Sequence, residues 1–352
     1  MSNNHGQLQF SAVRQAFTLV ELLVVGVIIV MLMTLTLFVM NMVTASTKEA
    51  KTRATVQKLD AAMQQIFEAY EDRFIVIKNR VAQEFPSPTF TDTDRQKIAA
   101  HFIRDTMRME MPQSWAEVYD STDSNKPPLE PIKIAGTSFA VEESPLLSYY
   151  WQAYQVAEKP PGRAALLFLI IQNLNPEALE TFHGNEVADT DGDGLLEFVD
   201  AWGNPIQFLR WAPAFPGSDV QPDVLKMAEY APKVDRGTNK VWWDNRNQPP
   251  LSDAMMQASA ACPDLLDERV NNVHGVVGWF LYPLIYSAGP DGRYDIIDEQ
   301  TDGNNEPVSP IVGTEDILDP YAFPYGMPGD ADGNRVLNHF DNIHNHRWYR
   351  SF

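Results

Sequence analysis

An apolar run at residues 17–43 constrains this chain more than any other feature, because it carries a single charge, Glu21. At 1.5 Å per residue, a helix over this run is long enough to cross a hydrocarbon core of about 30 Å. A carboxylate in such a helix raises the free energy of membrane insertion by roughly 2.5–3.5 kcal/mol at the bilayer centre and by less toward the interface. The run therefore predicts a membrane span in which an acidic group needs a partner.

The start of this run resembles the N-terminus of type IV prepilins and pseudopilins. A short polar leader, residues 1–16, precedes Phe17-Thr18-Leu19-Val20-Glu21 and the apolar helix. The resemblance implies that a prepilin peptidase cuts between Ala16 and Phe17, that the new amine is methylated, and that Glu21 pairs with this amine in a neighbouring subunit. The chain departs from the family at Ala16, where the family prefers glycine. A cleaved secretory signal and an uncleaved anchor are the alternatives.

Composition narrows the classes of partner. With 352 residues and 44% hydrophobic content, the chain is long enough for one or two soluble domains beyond the span. Its 47 acidic and 27 basic residues oppose binding to nucleic acid and favour divalent cations. The single cysteine, Cys262, excludes an intrachain disulfide and a cysteine-based zinc site.

The helix is predicted to continue beyond the membrane through residues 44–84. Apolar residues recur there in steps of three and four, and no proline or glycine occurs between positions 27 and 85. The stripe consists of Val56, Leu59, Met63, Ile66, Tyr70, Phe74, Ile77 and Val81. A freestanding coiled coil is one interpretation. We favour a helix that packs on its own head, because most of the chain follows it and needs a core.

The remainder divides into two regions. Residues 85–184 are predicted to form an α-rich insertion, with helices expected at 93–109, 145–157, 162–174 and 176–183. The apolar patch 164–171 is too short to span a membrane, so it is expected to be a core helix. Residues 185–352 contain short alternating segments, such as 206–209 and 276–286, that are typical of strands. The predicted fold is α+β and pilin-like, with the long N-terminal helix packed on a small antiparallel β-sheet.

Three C-terminal segments are similar to the last loops of type II secretion major pseudopilins: Asp200-Ala201-Trp202-Gly203-Asn204-Pro205, Tyr286-Ser287-Ala288-Gly289-Pro290-Asp291-Gly292 and Asp341-Asn342-Ile343. This resemblance implies a calcium ion in the C-terminal loops. The insertion matches no family pattern, and the chain is longer than common pseudopilins, which favours an enlarged subunit with a minor or tip role.

An acidic loop at residues 189–200 has the spacing of a calcium-binding loop. Carboxylates occupy positions 1, 3, 5, 9 and 12, and Gly194 at position 6 permits the sharp turn that brings them together. The predicted ligands are Asp189, Asp191, Asp193, the Leu195 carbonyl, Glu197 and Asp200. A solvated Asp/Gly turn is the alternative.

Two further acidic loops are weaker metal candidates: Asp291, Asp295, Asp298 and Asp302, and then Asp330 and Asp332. A zinc site at His339, His344, His346 and Asp341 has little support, because the residues have no ligand spacing typical of zinc. No nucleophile elbow, phosphate loop or HExxH string occurs, so we do not expect an enzyme.

Together these features predict a structural subunit of a type II secretion pseudopilus. Its expected partners are a prepilin peptidase, which also methylates the new amine, and other pilin-like subunits bound through the N-terminal helix. Its expected location is the inner membrane, with a single span and the C-terminal region in the periplasm or at the cell exterior. A type IV pilus subunit and a membrane-anchored, calcium-dependent binding module are the alternatives.

Overall fold

The computed structural model describes residues 19–86, 88–118, 144–212, 233–234, 241–242, 282–294, 296 and 342–346. The chain divides into two compact units, Met1–Thr47 and Lys48–Phe352, and each is described by itself. The described residues form long helices and short antiparallel strands. The expected α+β class, with a long apolar N-terminal helix and small antiparallel sheets, is therefore confirmed.

Helix α1, Leu19–Glu84, supplies all of the described part of the first unit. It is long and apolar enough to cross a membrane, and none of its most apolar window is buried. Three of its threonines satisfy their donors within the helix, since the hydroxyls of Thr34, Thr36 and Thr47 donate to carbonyls three or four residues earlier at 2.7–2.9 Å. The surface of this segment is accordingly suited to a hydrocarbon environment.

In the second unit, α1 buries one face. Seven of the eight residues of the predicted stripe are buried, and Ile77 is half-buried. They share one core with Phe208, Ile285 and Ile343 of the strands described below. The Phe85 N–H bonds to the Val81 carbonyl, and the helix ends before Pro86, which cannot continue it.

Among the described residues, three more α-helices follow: α2 Asp92–Glu110, α3 Pro145–Val156 and α4 Ala164–Leu174. Ser144 caps α3 by accepting a hydrogen bond from the Leu146 N–H, and a proline stands in its first turn. Almost every residue of α4 from position 164 to 171 is buried, so this segment is a core helix as predicted. The helix expected at 176–183 is a 3₁₀ helix, Pro176–Thr181.

The strands are short and antiparallel. Strand β1 (Val187–Ala188) pairs with β2 (Glu197–Phe198), and β4 (Lys233–Val234) pairs with β5 (Val241–Trp242). A three-stranded sheet has the order β3 (Gln207–Leu209), β6 (Leu284–Ser287) and β7 (Ile343–His344). In its register, Phe208 lies opposite Ile285 and Ser287 opposite Ile343. The predicted strand at 276–286 is thus described only at its end, where β6 begins at Leu284.

A buried carboxylate joins α1 to α2 and α3. Glu110, at the end of α2, accepts hydrogen bonds from the Tyr70 hydroxyl at 2.6 Å, from the Arg73 guanidinium at 2.6 and 3.2 Å, and from the Ser144 hydroxyl at 3.3 Å. Its backbone carbonyl accepts from the Tyr150 hydroxyl at 2.7 Å. Burial beside this carboxylate raises the pKa of Tyr70 well above its usual value, so the phenol stays a donor.

We expect Glu110→Gln to lower the free energy of unfolding by about 1–3 kcal/mol, because the substitution keeps the shape but removes the charge that Arg73 and Tyr70 face. Chemical denaturation of the full chain in detergent, followed by circular dichroism, measures this change. The control is Glu84→Gln, which alters an exposed i,i+4 pair with Arg80 and should change stability by less than about 0.5 kcal/mol. Equal losses for the two variants would contradict the role given to Glu110.

Candidate functional site

The acidic loop lies between β1 and β2 and gathers four carboxylates. One oxygen from each of Asp189, Asp191, Asp193 and Glu197 lies within 4.8 Å of the others. Because β1 and β2 pair antiparallel, with Ala188 opposite Glu197, the loop begins and ends at the same edge of this small hairpin. The hairpin therefore brings position 9 of the loop back to positions 1, 3 and 5, and the group has the composition of a site for a metal ion.

Asp189 organises the turn. Its Oδ1 accepts from the N–H groups of Gly192 and Asp193 at 2.7 and 3.2 Å, and its Oδ2 accepts from the Gly194 N–H at 3.1 Å. Gly192 and Gly194 adopt φ of 72° and 89°, a left-handed conformation that glycine permits without strain. The expectation that Gly194 permits a sharp turn is met in the backbone.

Two of the four acidic residues, Asp193 and Glu197, are buried. Burial raises the pKa of each, and nearby acids add to the shift: Asp191 and Asp189 act on Asp193, while Asp191 and Asp193 act on Glu197. Backbone N–H groups of Leu195 and Thr190 donate to them at 2.6 and 2.8 Å and oppose the shift. Within the described part of the chain, none of the four carboxylates forms an ion pair with a basic side chain.

The connection between α3 and α4 forms one wall of the site. The Glu158 N–H donates to the Asp193 carbonyl at 2.8 Å, and the Lys159 ammonium donates to the Asp191 carbonyl at 3.0 Å. The Gly162 N–H donates to the Asp193 carboxylate at 3.3 Å. A Cβ at Gly162 would lie 2.9 Å from an Asp191 carboxylate oxygen, so a larger residue at this position would displace that exposed side chain. Sequence reasoning did not find this wall, although Pro160-Pro161-Gly162 before an apolar helix marks a constrained turn.

Asp200 is not part of this group, which corrects its prediction as a sixth ligand. Its Oδ1 accepts from the N–H groups of Trp202 and Asn204 at 2.8 and 2.9 Å. Its Oδ2 accepts from the Asn204 amide at 3.1 Å and the Ser287 hydroxyl at 2.7 Å. Both oxygens thus stabilise the turn after β2 and tie it to β6. Leu195 lies in the acidic loop, and its N–H is the donor to Asp193.

The remaining predicted site residues fall elsewhere or outside the described residues. Asp291 is exposed, and its carboxylate accepts from the Arg293 N–H at 2.9 Å. His344 and His346 are buried, and His346 Nε2 lies 3.0 Å from the Pro283 carbonyl. Glu21 lies in the first turn of α1. Outside the described residues lie Ala16, Phe17, Asp295, Asp298, Asp302, Asp330, Asp332, His339 and Asp341.

No family model, curated protein or solved structure matches this chain.

A divalent cation should stabilise the protein through the acidic loop, because an ion bound only to the folded state adds RT ln(1 + [L]/Kd). This amounts to about 2.7 kcal/mol at a hundredfold excess over Kd. We expect thermal unfolding of the full chain in detergent to shift upward by roughly 5 °C or more when calcium or magnesium chloride replaces chelator. The double variant Asp189→Asn/Asp193→Asn should lose the shift.

The matched control is Asp291→Asn, which should keep the shift, because Asp291 lies in another loop and bonds locally. A parent chain without any cation-dependent shift would mean that the loop is a solvated turn. A shift that survives in the double variant and disappears in Asp291→Asn would move the metal to the later loop.

Proposed function

We propose that this chain is a pilin-like structural subunit, similar to the pseudopilins of type II secretion, that is held in the inner membrane by its N-terminal helix. The subunit assembles with others of its kind through that helix, and its C-terminal region lies in the periplasm. The observation that carries this proposal is the contrast along α1: the apolar segment 19–43 is exposed wherever it is described, whereas the outer segment buries a stripe in its own head.

Exposed apolar surface on this scale does not persist in water. The side chains of Leu22, Ile28, Leu32 and Phe38 are each more than half exposed. Lipid can cover such a helix in the membrane, and other helices of the same kind can cover it in a fibre. Transfer from lipid to a helical bundle then depends on packing and on polar pairing rather than on removal from water.

Glu21 supplies the polar pairing in this proposal. The resemblance to prepilins implies a free, methylated amine at Phe17 after cleavage, and this amine would neutralise the Glu21 carboxylate of an adjacent subunit. Pairing with the amine removes the penalty for a charge in an apolar environment, so subunits in the correct axial step are favoured over unpaired ones.

The metal in the acidic loop is proposed to be calcium. All four clustered side chains offer carboxylate oxygens, the ligands that hard cations prefer. Calcium accepts more ligands and a looser geometry than magnesium, which suits a group of four carboxylates that can each offer one or two oxygens. The ion would offset the repulsion among the buried acids and fix the β1–β2 hairpin against the connection before α4.

The acidic loop also favours a second candidate, a membrane-anchored binding module that uses calcium to shape its ligand surface. A type IV pilus subunit is a further alternative within the pilin-like class. A pilin-like subunit and an anchored binding module differ in what they require of the N-terminus. Assembly of a pilin-like subunit requires a processed helix whose Glu21 is paired, whereas an anchor requires only an apolar helix long enough to cross the membrane.

Processing tests this difference. In a host that carries a prepilin peptidase, we expect mass spectrometry of the membrane-extracted protein to find Phe17 as a methylated first residue. Phe17→Ala is a poor control because it alters the new terminus, so Ala16→Gly is preferred. This variant restores the residue that the family favours, and it should be cleaved at least as completely. A chain that still begins at Met1 or Ser2 in such a host would favour the plain anchor.

Assembly tests the role of Glu21. Glu21→Ala should leave the protein inserted, because it removes a costly charge from lipid, but it should reduce cross-linked oligomers or fibres by roughly tenfold or more, about 1.4 kcal/mol in the assembly equilibrium. Glu49→Ala is the control, since Glu49 is an exposed partner of Arg53 on the same helix. Unchanged assembly of the Glu21 variant would contradict the pairing.

A further inference from the structure

Arg108 on α2 is a buried cation without a hydrogen-bond acceptor among the described residues. Its side chain is 6% exposed, and Nε and both terminal nitrogens lack an acceptor. The nearest carboxylate, that of Asp105 one turn earlier, lies 3.8 Å away, which is an ion pair but too long for a hydrogen bond. A guanidinium carries five N–H donors, and such groups normally find acceptors when buried.

Glu117, in the 3₁₀ helix Trp115–Glu117, does not meet this need, because its carboxylate is occupied. Arg210, which follows β3, donates to Glu117 Oε1 at 2.8 Å and to Oε2 at 3.0 Å. The Gln113 N–H donates to Oε2 at 2.7 Å. Burial lowers the pKa of Arg108; Asp105 and Glu117 oppose this shift, and Arg210 adds to it, so these charges lie close enough to interact.

Further donors without acceptors lie beside this cluster. The Nε of Arg210 and the indole Nε1 of Trp211 are buried and unbonded among the described residues, and the Trp211 ring lies 4.7 Å from the Arg210 guanidinium carbon. Among the described residues, the Glu117 carboxylate is held by Arg210, and Arg108 has an ion pair with Asp105 but no hydrogen-bond acceptor.

We propose that Arg108, with Arg210 and Trp211 beside it, forms a buried site for a small tetrahedral oxyanion such as inorganic phosphate. An oxyanion would supply the acceptor oxygens that Arg108, Arg210 Nε and Trp211 Nε1 lack, and guanidinium groups bind oxyanions through charge-assisted hydrogen bonds. A tetrahedral ion offers acceptors in several directions, whereas a carboxylate offers a planar pair. The bound ion would join α2 to the end of β3. None of these three residues belongs to α1 or to the acidic loop.

The test is binding of inorganic phosphate to the full chain in detergent, with chelator present so that metal does not contribute. Phosphate is titrated at constant ionic strength against chloride. Isothermal titration calorimetry should find one phosphate per chain, and the melting temperature should rise saturably by about 2–4 °C. Sulfate should compete, and acetate should not.

Arg108→Met should weaken phosphate binding at least tenfold, while Arg80→Met, which removes a half-exposed arginine from α1, should leave it unchanged. If Arg108→Met does not fold, Arg108→Lys serves instead: it keeps the charge, loses the bidentate fork and should also bind at least tenfold more weakly. The proposal is overturned by an absence of saturable binding in the parent chain, by equal competition from acetate, or by unchanged affinity in the folded Arg108 variant.

Discussion

The buried face of α1 within residues 52–84 is the constraint on which the second unit depends. The apolar stripe on this face belongs to the same core as residues of α2, α3, α4 and the strands. Polar contacts then fix each region to the helix. The Thr52 hydroxyl accepts from the Ala201 N–H at 3.0 Å, and the Lys58 ammonium lies 2.8 Å from Glu186.

The C-terminal strands are tied to α1 in a similar way. The Asp60 carboxylate accepts from the Tyr282 hydroxyl at 3.0 Å and from the Asn345 amide at 2.7 Å. Asn345 in turn bonds to the Ile285 N–H and the Pro283 carbonyl, so one amide joins β6 and the residues after β7 to the helix. Each buried bond contributes about 1 kcal/mol and mainly sets position, while the apolar burial supplies most of the stabilisation.

The features that could be predicted from sequence are local ones. The course of α1 follows from an apolar period of three and four, and the four clustered acids follow from a loop whose ligands lie within ten residues. Distant pairs leave no such pattern: Arg210 and Glu117 are separated by 93 residues, and Tyr70 and Glu110 by 40. Asp200 was wrongly predicted as a metal ligand because the spacing of the loop shows which carboxylates are present but not which hydrogen-bond donors occupy their oxygens. Those donors include Ser287, 87 residues away.

The contacts of Trp115, Glu117 and Gly162 show how the α-rich segment is connected to the rest of the second unit. The Trp115 indole donates to the Gly162 carbonyl at 2.9 Å, and Gly162 in turn bounds the acidic cluster, while Glu117 holds Arg210. The α-rich segment is consequently not an appendage that can be excised to leave a minimal head. A chain without this segment would expose the acidic loop on one side and leave Arg210 buried without its counter-ion. Any shorter form must therefore replace both the contact with the acidic loop and the contact with Arg210.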